Sequence, residues 1–146
     1  MAYITEEDLI AAAGDKLRWE QLVADRPPPD SWNGTAAEFW AEKAIAIADG
    51  YVNAILGPRY RTPLAEVNAW LKHEAAEHGV YCLLSSRGGA TNEEVRKAEL
   101  RDQRLQEARD GKRWPAESLP PPSRSRKSVH LPHGDAWSRR KMKGFV

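Results

Sequence analysis

The 146-residue chain has one cysteine, Cys82, and so no internal disulfide. Flanked by Tyr81 and Leu83 in an apolar run, that cysteine reads as a small buried hydrophobe. No stretch approaches the roughly 20 apolar residues that a membrane span needs. The start, Met1-Ala-Tyr-Ile-Thr-Glu6, lacks the basic and apolar regions of a signal peptide, so the expectation is a protein made and kept in a reducing cytoplasm, away from membranes.

Patterns that carry chemistry are also scarce. His73 and His78 lie five apart, which points them in different directions on a helix. Zinc-binding helices space their pair at four, with a glutamate between. His78 is expected near the core and His73 on the surface. His130 and His133 have only Asp135 for company, too little for a metal site. Ser85 to Ala90 contains Gly88 and Gly89 but no following Lys and Ser or Thr, so it reads as a loop and not a phosphate cradle. Glu74 and Glu77 read as a solvated carboxylate pair. No nucleophile, base and orienting group come together, and the expectation is a protein that is not an enzyme and takes no cofactor and no metal.

What the chain does have is a division of charge. Residues 1–111 hold 13 Lys and Arg against 19 Asp and Glu, a balance of −6, whereas residues 112–146 hold 9 against 2, a balance of +7. A mean hydropathy of −0.67 is low for a compact globule and fits a segment outside the core. The chain divides into a helical core over 1–111 and an extended basic arm over 112–146.

The core reads as all-α, a small bundle of two short amino-terminal helices, two long antiparallel helices and one outer helix. Thr5 and Asp8 open the first short helix ahead of Leu9 and Ile10, and Gly14 ends it. Asp15 caps the second, through Leu17, Trp19, Leu22 and Val23, and the prolines at 27, 28 and 29 stop it. Thr35 and Glu38 form a capping-box pattern before a long helix with Phe39, Trp40, Ala44, Ile47, Ala48, Tyr51 and Ile55 on its apolar face. The second long helix is predicted from Leu64, through Val67, Trp70, Leu71, Ala75, His78, Tyr81 and Cys82, with Glu66, Lys72, Glu74 and Glu77 on its polar face. Thr91 and Glu94 start the outer helix, whose apolar stripe of Val95, Ala98, Leu105 and Ala108 is thin.

Beyond Lys112 the periodicity stops. Pro115 and Pro120 to Pro122 forbid a helix, and Arg124, Arg126 and Lys127 alternate with serines. Trp137 and Phe145 then stand among Arg139, Arg140, Lys141 and Lys143, anchors between cations that suit a binding surface. The same cations could neutralise phosphates, so a nucleic-acid-binding accessory protein with a basic tail is the alternative. The acidic core offers no basic recognition helix, which favours an acidic protein groove as the arm's target.

Tyr3 to Leu9 (YITEEDL), the helix end Ala48-Asp-Gly-Tyr-Val52, and Arg59, Tyr60, Pro63 and Leu64 together resemble the head-tail adaptor (connector) proteins of tailed bacteriophages, nearest to those of Mu-like prophages. The likeness covers about residues 3–111; the proline-rich segment from Pro27 to Trp32 and the long basic arm depart from it. The resemblance implies a structural virion protein of the phage neck. Copies form a homo-oligomeric ring, commonly of twelve, under the portal protein, next to a head-closure or tail-completion protein, with DNA passing through the lumen. It places the protein at the head-tail interface of the virion, assembled in the host cytoplasm. It also implies that the carboxy-terminal arm reaches the portal, and the arm's own cations and aromatics make Arg124, Arg126, Lys127, Trp137, Arg139, Arg140, Lys141 and Phe145 the expected contact residues. An acidic lumen would let DNA slide, and an aromatic, basic arm would fasten the ring.

Overall fold

The computed structural model describes residues 2–116. Among them every regular element is an α-helix: α1 (Glu6–Ala13), α2 (Lys16–Ala24), α3 (Ala36–Leu56), α4 (Ala69–Ser85) and α5 (Asn92–Arg109). The caps are those expected from the residue types. Thr5, Thr35 and Thr91 each accept from the backbone N–H three residues on, and Asp8, Glu38 and Glu94 return the bond to the cap, closing three capping boxes. Asp15 accepts from the Arg18 N–H to start α2.

The core gathers where α3, α4 and α1 meet. Ala41, Ala44, Ala48, Val52 and Leu56 form the buried line of α3, facing Leu71, Ala75, Ala76, Gly79, Val80 and Leu83 of α4. Small residues permit the close approach. A methyl group added at Gly79 would lie 3.1 Å from both the Ala44 carbonyl oxygen and Leu9 Cδ2. Trp19 from α2, 1% exposed, closes one side with Leu22 and Val23.

Three expectations need correcting here. Ile47 is 40% exposed, and the larger apolar residues Phe39, Trp40, Tyr51 and Ile55 flank the seam half-buried, because the centre of the seam admits only small side chains. The second long helix starts at Ala69, not Leu64. Tyr3 explains the delay: its hydroxyl accepts the Leu64 N–H at 2.8 Å and donates to Asn53, pinning the start of a non-helical lead-in over residues 64–68. Third, Cys82 is half-buried, with its sulfur 3.4 Å from His78 Nε2, and is not wholly inside the core.

The helical periodicity ends at Gly111, but the chain stays on the body through Ala116. Pro115 and Ala116 are buried. The Trp114 carbonyl accepts from Asn68 Nδ2 at 2.8 Å and from Trp70 Nε1 at 3.0 Å, and the Pro115 carbonyl accepts from the Asn68 N–H at 2.9 Å. Arg113 lies over the Trp70 ring, 5.2 Å from its centroid. Among the described residues no helix is long and apolar enough to cross a membrane.

Candidate docking surface

Arg124, Arg126, Lys127, Trp137, Arg139, Arg140, Lys141 and Phe145, the residues assigned to partner binding from sequence, lie outside the described residues. The body that carries them has its own polar feature, which the sequence reading missed. Glu74, which its residue type and helix position predict to be solvated, is 6% exposed, and Arg101 of α5 is 3% exposed beside it. Arg101 Nε is 3.7 Å from Glu74, and its Nη2 is 3.8 Å from Glu77. Arg104 bonds the other oxygen of Glu74 from the rim. Arg101 also lies 5.8 Å from the centroid of the Tyr81 ring.

Helical spacing brings these charges inward. Position 101 stands three residues past Ala98 and four before Leu105, on the same stripe as the apolar residues of α5. An arginine on that stripe can go inside here because α4 supplies carboxylates at the matching level.

Around this cluster α3, α4 and α5 meet through aromatic and polar contacts. Tyr51 stacks on His78, centroids 3.6 Å apart and planes within 5° of parallel, and its hydroxyl donates to Asp102 on α5. Burial, and then the positive charge of Arg101, pushes the His78 pKa down to about 4. Burial and the bond to Asp102 push the Tyr51 phenol up. Burial also raises the Cys82 thiol. The close Cys82 and His78 pair is therefore held as neutral thiol and neutral imidazole at pH 7, the opposite of the thiolate and imidazolium that nucleophilic chemistry uses. His73 is exposed and 4.0 Å from Glu77, as its spacing predicts.

The amino-terminal half of α5 stands off the body. Val95 and Leu100 are 39% and 48% exposed, although Leu105 and Ala108 farther along are fully buried. Between this half and the corner of α1 and α2 runs a groove over α4. One section, about 370 Å³, is lined by Ala13, Leu22, Val80 and Leu84, with Arg18, Gln21, Arg87 and Glu94 at the rim. It continues as a smaller section of about 190 Å³ along Ala12, Tyr81 and Glu77, ending at Lys97 and Arg101. Arg101 Nε and Nη1 have no hydrogen-bond acceptor among the described residues. The groove thus has an apolar floor and, at one end, the cations Lys97 and Arg101, each already paired with a carboxylate of this chain.

No curated protein matches the chain. The family model described as Bacteriophage Mu, Gp36 matches residues 3–128, well over half of the chain, and includes Arg124, Arg126 and Lys127 at the start of the basic segment. The chain is therefore a Mu-like phage protein and belongs to the family described as Bacteriophage Mu, Gp36.

Proposed function

We propose that this phage protein is a structural, non-catalytic component of the virion neck. Copies form a ring beneath the portal, joining head to tail and leaving a lumen for DNA, with the two long helices α3 and α4 packed antiparallel in each copy. The ring sits at the head-tail interface after assembly in the host cytoplasm and meets a head-closure or tail-completion protein on its far side. The basic arm fastens it to the portal through Trp137, Arg139, Arg140 and Phe145, with Arg124, Arg126, Lys127 and Lys141 adding charge.

The observation that carries this reading is the family match to a Mu-phage protein over residues 3–128. The division of charge supports it, with −6 over residues 1–111 and +7 over 112–146. An acidic ring does not hold DNA by counterion release, and a basic arm finds acidic protein by complementarity. The path of the chain toward the arm also supports it, because the Trp114 and Pro115 carbonyls are held by Asn68 and Trp70.

Imaging phage necks that carry a density label on this chain tests the proposal. The label should appear as a ring between portal and tail. A label elsewhere, or particles that close their heads and attach tails without this protein, overturns it. Tight DNA binding by the full chain, lost at moderate salt and without portal affinity, would support the nucleic-acid alternative instead.

A further inference from the structure

We infer that the end of the bundle from which the basic arm departs is itself a docking surface for an acidic protein face, with Arg59, Arg61 and Lys112 as its free cations; that the partner is the portal rests on the neck reading proposed above.

Charge is divided within the folded body as well as between body and arm. The connection between α3 and α4, residues 57–68, and the stretch 109–116, where α5 ends, together hold 5 Lys and Arg against 2 Asp and Glu, a balance of +3. The rest of residues 1–116 holds 10 against 17, a balance of −7. Side-chain contacts bring the two positive stretches to one place. Tyr60 donates its hydroxyl to the Ala108 carbonyl at 3.1 Å, and the Arg59 guanidinium sits against Gly111. The basic segment beyond Ala116 therefore continues a positive surface that begins on the body.

Arg59 shows that this surface is built and not merely solvated. A Cβ added at Gly111 would overlap the guanidinium, and Gly111 has a φ of +77°, so glycine alone provides this seat. On its other side the guanidinium lies 5.8 Å from the centroid of the Tyr60 ring. Held in this way, Arg59 is exposed and makes no ion pair among the described residues; the same is true of Arg61 and Lys112. Their neighbours differ, since Arg109 is 3.3 Å from Asp110 and Arg113 is 3.4 Å from Glu107. An arginine fixed by packing and lacking a carboxylate in its own chain loses little freedom when a partner's carboxylate meets its planar fork.

Protein fits better than nucleic acid as the occupant. Nucleic-acid affinity grows with the number of phosphates neutralised, and three free cations around one corner, with a body of −7 behind them, make a short phosphate track. An acidic protein face needs only a few carboxylates at matching positions. Exposed ion pairs are individually weak, so the surface acts beside the arm and does not replace it: once the arm is held, the cations meet the same partner at high effective concentration. The contact also orients the body. The α3–α4 connection turns toward the portal, and the far end of α4, about 25 Å away along 17 residues, turns toward the tail.

Affinity of the full chain for isolated portal, measured at physiological ionic strength, tests the inference. One variant carries Arg61→Glu with Lys112→Glu. A control carries Lys16→Glu with Arg96→Glu, the same change in net charge at exposed positions on other parts of the body. Both should keep the helical circular dichroism of the parent. The first is expected to bind portal at least tenfold more weakly, the control within threefold of the parent, and Arg59→Lys, which keeps the charge and loses the fork, at least threefold more weakly. Equal losses in the two double variants would mean that net charge alone matters and would overturn the inference, as would unchanged binding by the first. Tight binding of duplex DNA by the parent, lost in the first variant and without portal affinity, overturns it in favour of nucleic acid. The neck reading fails separately, if the parent itself has no affinity for portal; parent binding that ignores Arg61 and Lys112 refutes this surface alone.

Discussion

Tyr51 lies flat on His78, centroids 3.6 Å apart, and this one stack ties α3 to α4 while the Tyr51 hydroxyl reaches Asp102 on α5. Three helices therefore meet at a pair of rings beside the Arg101 cluster. The stack needs His78 neutral, since burial and Arg101 oppose its charge and Asp102 only partly offsets them.

A pH dependence follows. The folded-state pKa of His78 is about 4, down from 6.5, so the unfolded chain binds the extra proton first on acidification. The stabilisation that His78 provides is complete above pH 6.5 and is lost as pH falls toward 4. His78→Phe keeps a ring against Tyr51 and removes the proton site. Urea midpoints taken at pH 7.5, 5.5 and 4.5 should fall less steeply for the variant than for the parent. Equal slopes would show that His78 does not titrate in this window.

The ionic cluster makes a different prediction. Glu74→Gln leaves Arg101 buried with less compensation and weakens Arg104 as well, so it should cost about 3–5 kcal/mol. Replacing Glu74 and Arg101 together by methionine removes both charges and should cost far less than the sum of the two single changes. A double-mutant cycle by denaturant unfolding measures the difference, and additive losses would mean that the pair is not coupled.

At the other end of the body, Tyr3→Phe removes one hydroxyl that serves both Asn53 and the Leu64 N–H. The ring stays, but a buried N–H loses its acceptor, and the expected loss is about 1–3 kcal/mol. Hydrogen exchange should show faster opening at Leu64, with α4 protected as before. Unchanged exchange at Leu64 would count against the hydroxyl as its anchor.

The elements were legible because caps and periodicity are local. Thr35 with Glu38 and Thr91 with Glu94 mark the starts of α3 and α5 from residue type and spacing alone. The start of α4 was not, since what delays it is Tyr3, more than 60 residues away in the chain. Nor was the burial of Glu74 and Arg101, because a charge on an apolar stripe goes inside only if a partner stands opposite, and the partner belongs to another helix. The same blindness applies to Ile47: a helical stripe says which residues share a face, and only the neighbouring helix decides how large they can be. The groove, formed by the corner of α1 and α2 with α4 and α5, has no sequence signature at all.

Where the body ends is open to direct measurement. A chain cut after Ala116 keeps the Trp114 and Pro115 carbonyls that hold Asn68 and Trp70, so its thermal midpoint should stay within a few degrees of the full chain's. A cut after Arg113 removes both carbonyls and two buried residues, leaving the Asn68 N–H and the Trp70 indole without acceptors at the start of α4. Lost hydrogen bonds at about 1 kcal/mol each, with the buried apolar surface added, predict a loss of roughly 2–5 kcal/mol. Thermal melts of the two truncations decide it; equal midpoints would place the end of the body before Trp114. On the proposed function the chain ending at Ala116 should also fold normally yet fail to bind isolated portal, which separates the arm's docking from the body's stability. Portal binding that survives removal of every residue beyond Ala116 would move the docking surface from the arm to the helices.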